Sequence, residues 1–113
     1  MAKKNSGGKQ RREHYRIKYP VTDRPIFQAY GVSFFVLDLS ESGFRLEENP
    51  NAVLGPKSKL EGVILFKDGA REKVTSVVIR IIEGQVIAKF SNSIPLSRIM
   101  LEQRRLIAAN GRL

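Results

Sequence analysis

The chain has 113 residues, 42% of them hydrophobic, which supports one domain with one core. It contains no cysteine, which rules out disulfides and thiolate metal sites and fits a reducing compartment. The formal charge is +9, while no apolar run approaches the ~18 residues of a membrane span and the basic N-terminus lacks a signal-peptide core, so a cytoplasmic location is expected.

The positive charge is unevenly placed. Residues 1–18 hold seven Lys/Arg and one acid, residues 97–113 hold four and one, and residues 19–96 hold nine of each. Binding to long nucleic acid draws on many phosphate contacts over a face of the fold. Basicity confined to the ends suits a short anion better.

Residues 1–10 are polar, contain Gly7-Gly8 and lack periodicity, so residues 1–18 are expected to form a flexible basic arm. Within it Arg12 and Arg16 lie four residues apart and face the same way in either backbone state, roughly 6 Å apart as a helix and ~13 Å apart when extended. Strands are expected at Ile26–Tyr30, Val32–Leu39, Phe44–Glu47, Lys59–Phe66, Arg71–Ile82 and Gln85–Phe90. The nearly continuous apolar run from Val32 predicts burial on both faces of the second strand. Turns at Gly31, Ser40–Gly43, Asp68-Gly69 and Glu83-Gly84 separate these strands at hairpin spacing. The pattern predicts an all-β-dominated, six-stranded antiparallel barrel over residues 19–113.

The period then changes. Leu96, Ile99, Met100, Gln103, Leu106 and Ile107 fall on one helical face, with Arg98, Glu102 and Arg105 opposite. A helix is expected over about residues 97–110, with Ser97 as N-cap and Gly111 just past the end.

The sequence offers little for catalysis. His14 sits among arginines without a dedicated carboxylate, and no nucleophile elbow, P-loop or glycine-rich dinucleotide motif is present. No metal site is expected. We read the chain as a binding protein, not an enzyme.

Arginine pairs bidentately with phosphate or with the O6/N7 edge of guanine. A carboxylate at Asp38 can accept the N1–H and N2–H₂ donors of guanine, and Ser40, on the same strand face, can add a hydrogen bond. Gly43 allows a tight turn or close approach. A solvated charge run explains Arg11-Arg12 taken alone, and a serine-stabilised turn explains Asp38–Gly43 almost as well.

Together, Arg12-Glu13-His14-Tyr15-Arg16 and Asp38-Leu39-Ser40-Glu41-Ser42-Gly43 resemble the RxxxR and [D/N]xSxxG motifs of the PilZ family, small bacterial β-barrels that bind cyclic di-GMP. The resemblance implies a PilZ-type barrel and a second-messenger receptor or adaptor acting in motility, adhesion or exopolysaccharide control. Its site residues would be Arg12 and Arg16 for phosphates and guanine edges, Asp38 and Ser40 for a guanine base, and Gly43 for backbone fit. An arginine directly before RxxxR goes in the family with an intercalated ligand pair; Arg11 holds that place, leaving one or two cyclic di-GMP molecules per domain as alternatives. Ser42 stands where many members carry a second glycine. The fifth predicted strand has no aromatic to stack a guanine, so Arg80 is a secondary candidate. No further cofactor is implied, and the downstream protein partner is left unnamed. Two rivals are a basic RNA- or DNA-binding barrel and a PilZ-like adaptor without nucleotide.

Overall fold

A computed structural model describes residues 16–111. Its strands are β1 (Arg16–Lys18), β2 (Ile26–Ala29), β3 (Val32–Ser40), β4 (Gly43–Glu47), β5 (Lys59–Leu65), β6 (Arg71–Ile82) and β7 (Gln85–Phe90). A 3-10 turn at Val21–Asp23 follows β1, and helix α1 (Leu96–Asn110) ends the fold. The sheet order is β1-β3-β2-β5-β6-β7-β4, and a further β3–β4 pairing closes it on itself. The result is a six-stranded antiparallel barrel with β1 outside the ring.

Long β3 makes this layout possible. Along one edge, its first half pairs with β2 (Ile26 opposite Phe35) and its last three residues pair with β1 (Arg16 opposite Ser40, Lys18 opposite Asp38). Its other edge pairs with β4. Two ring hairpins turn on two residues with positive φ, Tyr30-Gly31 and Glu83-Gly84, the backbone that suits the right-handed strand twist.

The expected boundaries of β6 and β7 match the structure, and the other ring strands agree to within a residue at either end. The difference lies in β1. The sequence pattern puts Arg16–Lys18 within the arm, yet Ile17 and Tyr19 are buried in the core. A three-residue polar strand with one apolar side chain leaves no periodicity to read. It is held by its pairing with β3 and by the Tyr19 N–H donating to the Leu37 carbonyl at 3.0 Å.

A chain of aromatic rings fills the core. Phe27 meets Phe44 edge-on at 4.9 Å, and Phe44 meets Phe90 at 4.8 Å. Ile99 and Leu106 from α1 are fully buried against this cluster. The helix starts one residue earlier than expected, with Pro95 rather than Ser97 as its N-cap. The Pro95 carbonyl accepts the Arg98 N–H at 3.0 Å, and no side chain caps the first turn. Gly111, at φ 82, lies just past the helix end as expected.

The charged side of α1 is also corrected. Apolar spacing sets Glu102 opposite the buried face, but the residue is 0% exposed and shares the buried stripe with Ile99 and Leu106. Its carboxylate accepts hydrogen bonds from the Tyr19 hydroxyl at 2.7 Å, Arg98 Nη2 at 3.0 Å and Arg105 Nε at 3.1 Å. Arg98 also reaches Asp68 at 2.8 Å and lies over the Phe66 ring at 4.4 Å. This cluster ties β1, the β5–β6 turn and α1 together.

Burial, and then Glu102, push the Tyr19 phenol above its usual 10.0. The group therefore contributes its full stability below pH 10.0, and that contribution is lost as the pH rises beyond it, where the unfolded tyrosine ionises and the folded one does not. Urea unfolding midpoints should decrease as the pH is raised from about 9 to 11. Tyr19→Phe should flatten that slope, and an equally steep slope in the variant would contradict this assignment.

Candidate ligand-binding site

The site arises from a parity change in β3. Phe34 and Val36 point into the barrel, as does Leu39, an odd step further on. The register with β4 shifts between Val36 and Asp38, so Leu37 is the additional residue of a bulge. A bulge reverses which face the following side chains occupy. Without it, Asp38 and Ser40 would point into the apolar core. With it, Leu39 takes the core position and Asp38 faces the β1 side. The expected burial of β3 on both faces therefore holds only near its end, and Phe35 is exposed.

Three cationic residues neighbour Asp38 across strand pairings, and two of them reach its carboxylate. Lys18 lies opposite it on β1, Arg45 opposite it on β4, and Arg16 diagonally on β1. Arg16 Nη1 donates to Asp38 Oδ1 at 2.6 Å, and Arg45 Nε lies 3.4 Å from Oδ2. Arg45 Nη1 also donates to Gln85 Oε1 at 3.1 Å. The Asp38 side chain is 8% exposed, whereas those of Arg16 and Arg45 are 42% and 41% exposed. A nearly buried carboxylate thus anchors two guanidiniums whose outer faces stay open.

A cleft of about 460 Å³ opens beside this group, bordered by Arg16, Lys18, Arg24, Asp38, Arg45 and Gln85. Its size falls in the range of small-molecule sites. A smaller hollow of about 160 Å³, bordered by Arg16, Gly43, Arg45, Ile79 and Lys89, lies past the same arginines. Four cations and one acid line the larger cleft, which suits an anionic ligand.

Ser40 is fully buried. Its hydroxyl donates to the Gly43 carbonyl at 3.3 Å and accepts the Ser42 N–H at 3.3 Å. In this structure it therefore holds the β3–β4 turn. Gly43 is needed for close approach: a Cβ there would overlap the Ala88 carbonyl oxygen. That contact is with the backbone of β7, directly across the ladder, so no rotamer change can relieve it. Gly43→Ala should cost about 2–3 kcal/mol in urea unfolding, and wild-type stability would show that the seam can shift freely.

The structure thus brings Arg16, Asp38, Ser40 and Gly43 to one end of β3. Arg11 and Arg12 lie outside the described residues. Arg80 is exposed on β6 and borders neither cavity. A second register shift, between Val78 and Arg80, leaves Ile79 as the residue at the smaller hollow. Sequence reasoning missed Arg45, Gln85 and Lys89. The only signal was alternation along Phe44-Arg45-Leu46-Glu47, which places Arg45 outward but does not name its neighbours.

Barrel and cleft together form a small, mostly β module with a cation-lined hollow at one end of β3. The family model for the PilZ domain matches residues 10–108, and the chain belongs to that family. PilZ domains are a cyclic di-GMP-binding and adaptor family rather than a known enzyme family. Among solved structures, an uncharacterized Legionella protein is similar in fold, with a TM-score of 0.59 and 14% identity over 87% of this chain and 99% of the other. No curated protein sequence matches the chain. Among the described residues, no helix is long and apolar enough to cross a membrane.

Proposed function

We propose that this protein is a cyclic di-GMP receptor whose ligand sits in the cleft beside Asp38. The observation that carries this reading is the convergence of Arg16 and Arg45 on one nearly buried carboxylate at the edge of a 460 Å³ cleft, in a chain of this family. The ligand brings two phosphodiester charges and two guanine edges, both of which guanidinium forks recognise. In the structure Asp38 neutralises the arginines. When ligand enters, Arg16 exchanges that carboxylate for a phosphate or a guanine O6/N7 edge. Asp38 is then released to accept the N1–H and N2–H₂ of guanine.

Arg12 and Arg11 complete the site as residues 1–15 close over the ligand, and Arg11 favours a second, intercalated molecule. Ordering that segment costs roughly 1–2 kcal/mol per residue fixed, which the charge-assisted bonds and stacking must exceed. The output is a composite surface of arm, ligand and barrel rim, read by a protein partner. A groove of about 240 Å³ between β1 and α1, bordered by Arg16, Ile17, Lys18, Gln103 and Leu106, carries that rim to the helix.

Calorimetric titration with cyclic di-GMP tests the reading. Saturable micromolar or tighter binding is expected, with a stoichiometry of one or two. No heat and no competition at millimolar ligand would leave a nucleotide-free adaptor in its place.

A further inference from the structure

We propose that Arg45 is a ligand-contacting residue of this site, a guanidinium supplied by the barrel wall that holds a phosphodiester oxygen. The proposal rests on the cyclic di-GMP reading above and adds a residue that lies outside both sequence motifs.

Four observations support it. Arg45 stands directly opposite Asp38 in the β3–β4 register, so it reaches the carboxylate from the side away from Arg16. Its contact with Asp38 is the looser of the two, 3.4 Å through Nε against 2.6 Å for Arg16. Gln85 steadies the guanidinium through Nη1 at 3.1 Å, and no described residue accepts a hydrogen bond from Nη2. Arg45 also borders both cavities, as Arg16 does, with Gln85 in the larger and Lys89 in the smaller.

A guanidinium serving only to neutralise Asp38 would be expected to take the shorter contact and turn its fork onto the carboxylate. Here the head group is aimed by a neutral amide and stays 41% exposed beside Lys89. Bases placed in the two cavities would have their linking phosphate at the boundary between them, where Arg45 sits. Preorganisation by Gln85 lowers the conformational cost of taking that phosphate.

The test is a double-mutant cycle read by calorimetry with cyclic di-GMP, using Arg45→Ala, Asp38→Asn and the pair. Arg45→Ala should weaken binding roughly ten- to a hundredfold. Its effect should persist in the Asp38→Asn background, with a further loss of at least about tenfold. Arg45→Lys should recover part of the affinity, because it keeps the charge and loses the fork. Urea unfolding of each variant checks that the barrel is intact. Wild-type-like binding by Arg45→Ala, or no added loss beside Asp38→Asn, would overturn the proposal, the second outcome reducing Arg45 to a support for Asp38. Binding absent from the wild type would instead remove the functional reading and this inference with it.

Discussion

Replacing Glu102 by alanine is expected to destabilise the protein by about 3 kcal/mol, at the top of the range expected at Gly43 and well above the loss expected at Arg16. The fully buried carboxylate is the common acceptor for Tyr19, Arg98 and Arg105. Its removal leaves a buried hydroxyl without an acceptor and two largely buried guanidiniums short of a counter-ion. The loss stays at the lower end for a broken buried ion pair because Arg98 keeps Asp68 at 2.8 Å and Arg105 keeps Asp23 at 3.9 Å. For a domain of this size the melting temperature should drop by roughly 12–24 °C. Glu102→Gln keeps an acceptor for Tyr19 and should lose about half as much. The same hub holds Tyr19, three residues beyond Arg16, so Glu102→Ala should weaken ligand binding modestly as well. Stability within about 0.5 kcal/mol of wild type would mean that the cluster is incidental to the fold.

The second large effect falls on binding and spares the fold. Arg16→Ala should weaken cyclic di-GMP binding by about 3 kcal/mol, roughly a hundredfold in Kd, because it removes charge-assisted bonds made by a rigid fork. Its ion pair with Asp38 is half solvated, and Asp38 retains Arg45, so the stability cost should stay at about 1 kcal/mol or below. Arg16→Lys should fall between, since an ammonium keeps the charge without the planar pair of donors. The two variants separate opposite ends of β1: loss at Glu102 reads mainly as unfolding, loss at Arg16 mainly as affinity.

The ring strands were legible because each is bounded by turn residues and carries β-branched or aromatic side chains. The site was half legible. Arg16 and Asp38 belong to contiguous motifs with fixed internal spacing, so they could be named from the chain alone. Arg45, Gln85 and Lys89 come from separate strands, and only the pairing register delivers them to the same place. The Leu37 bulge is likewise invisible in the sequence, yet it decides that Asp38 faces the cleft and not the core. Helix α1 shows a third kind of failure. Apolar spacing marks its buried face but gives no reason to turn Glu102 inward, because the residue that satisfies it, Tyr19, lies 83 positions earlier in the chain. The motif assigns Ser40 to the ligand, whereas its hydroxyl in the fold closes the β3–β4 turn.

The proposed displacement of the Arg16–Asp38 ion pair by a nucleotide is open to direct measurement. Its most direct test is to titrate isotope-labelled protein with cyclic di-GMP and follow the amide signals of Lys18, Asp38 and Arg45 together with the Arg16 side-chain Nε–H. Saturable shifts at these positions, spreading into residues 1–15 and leaving the β5–β6 hairpin unmoved, are predicted. Unshifted signals around Asp38 at saturating ligand, or shifts centred on the far side of the barrel, would contradict it.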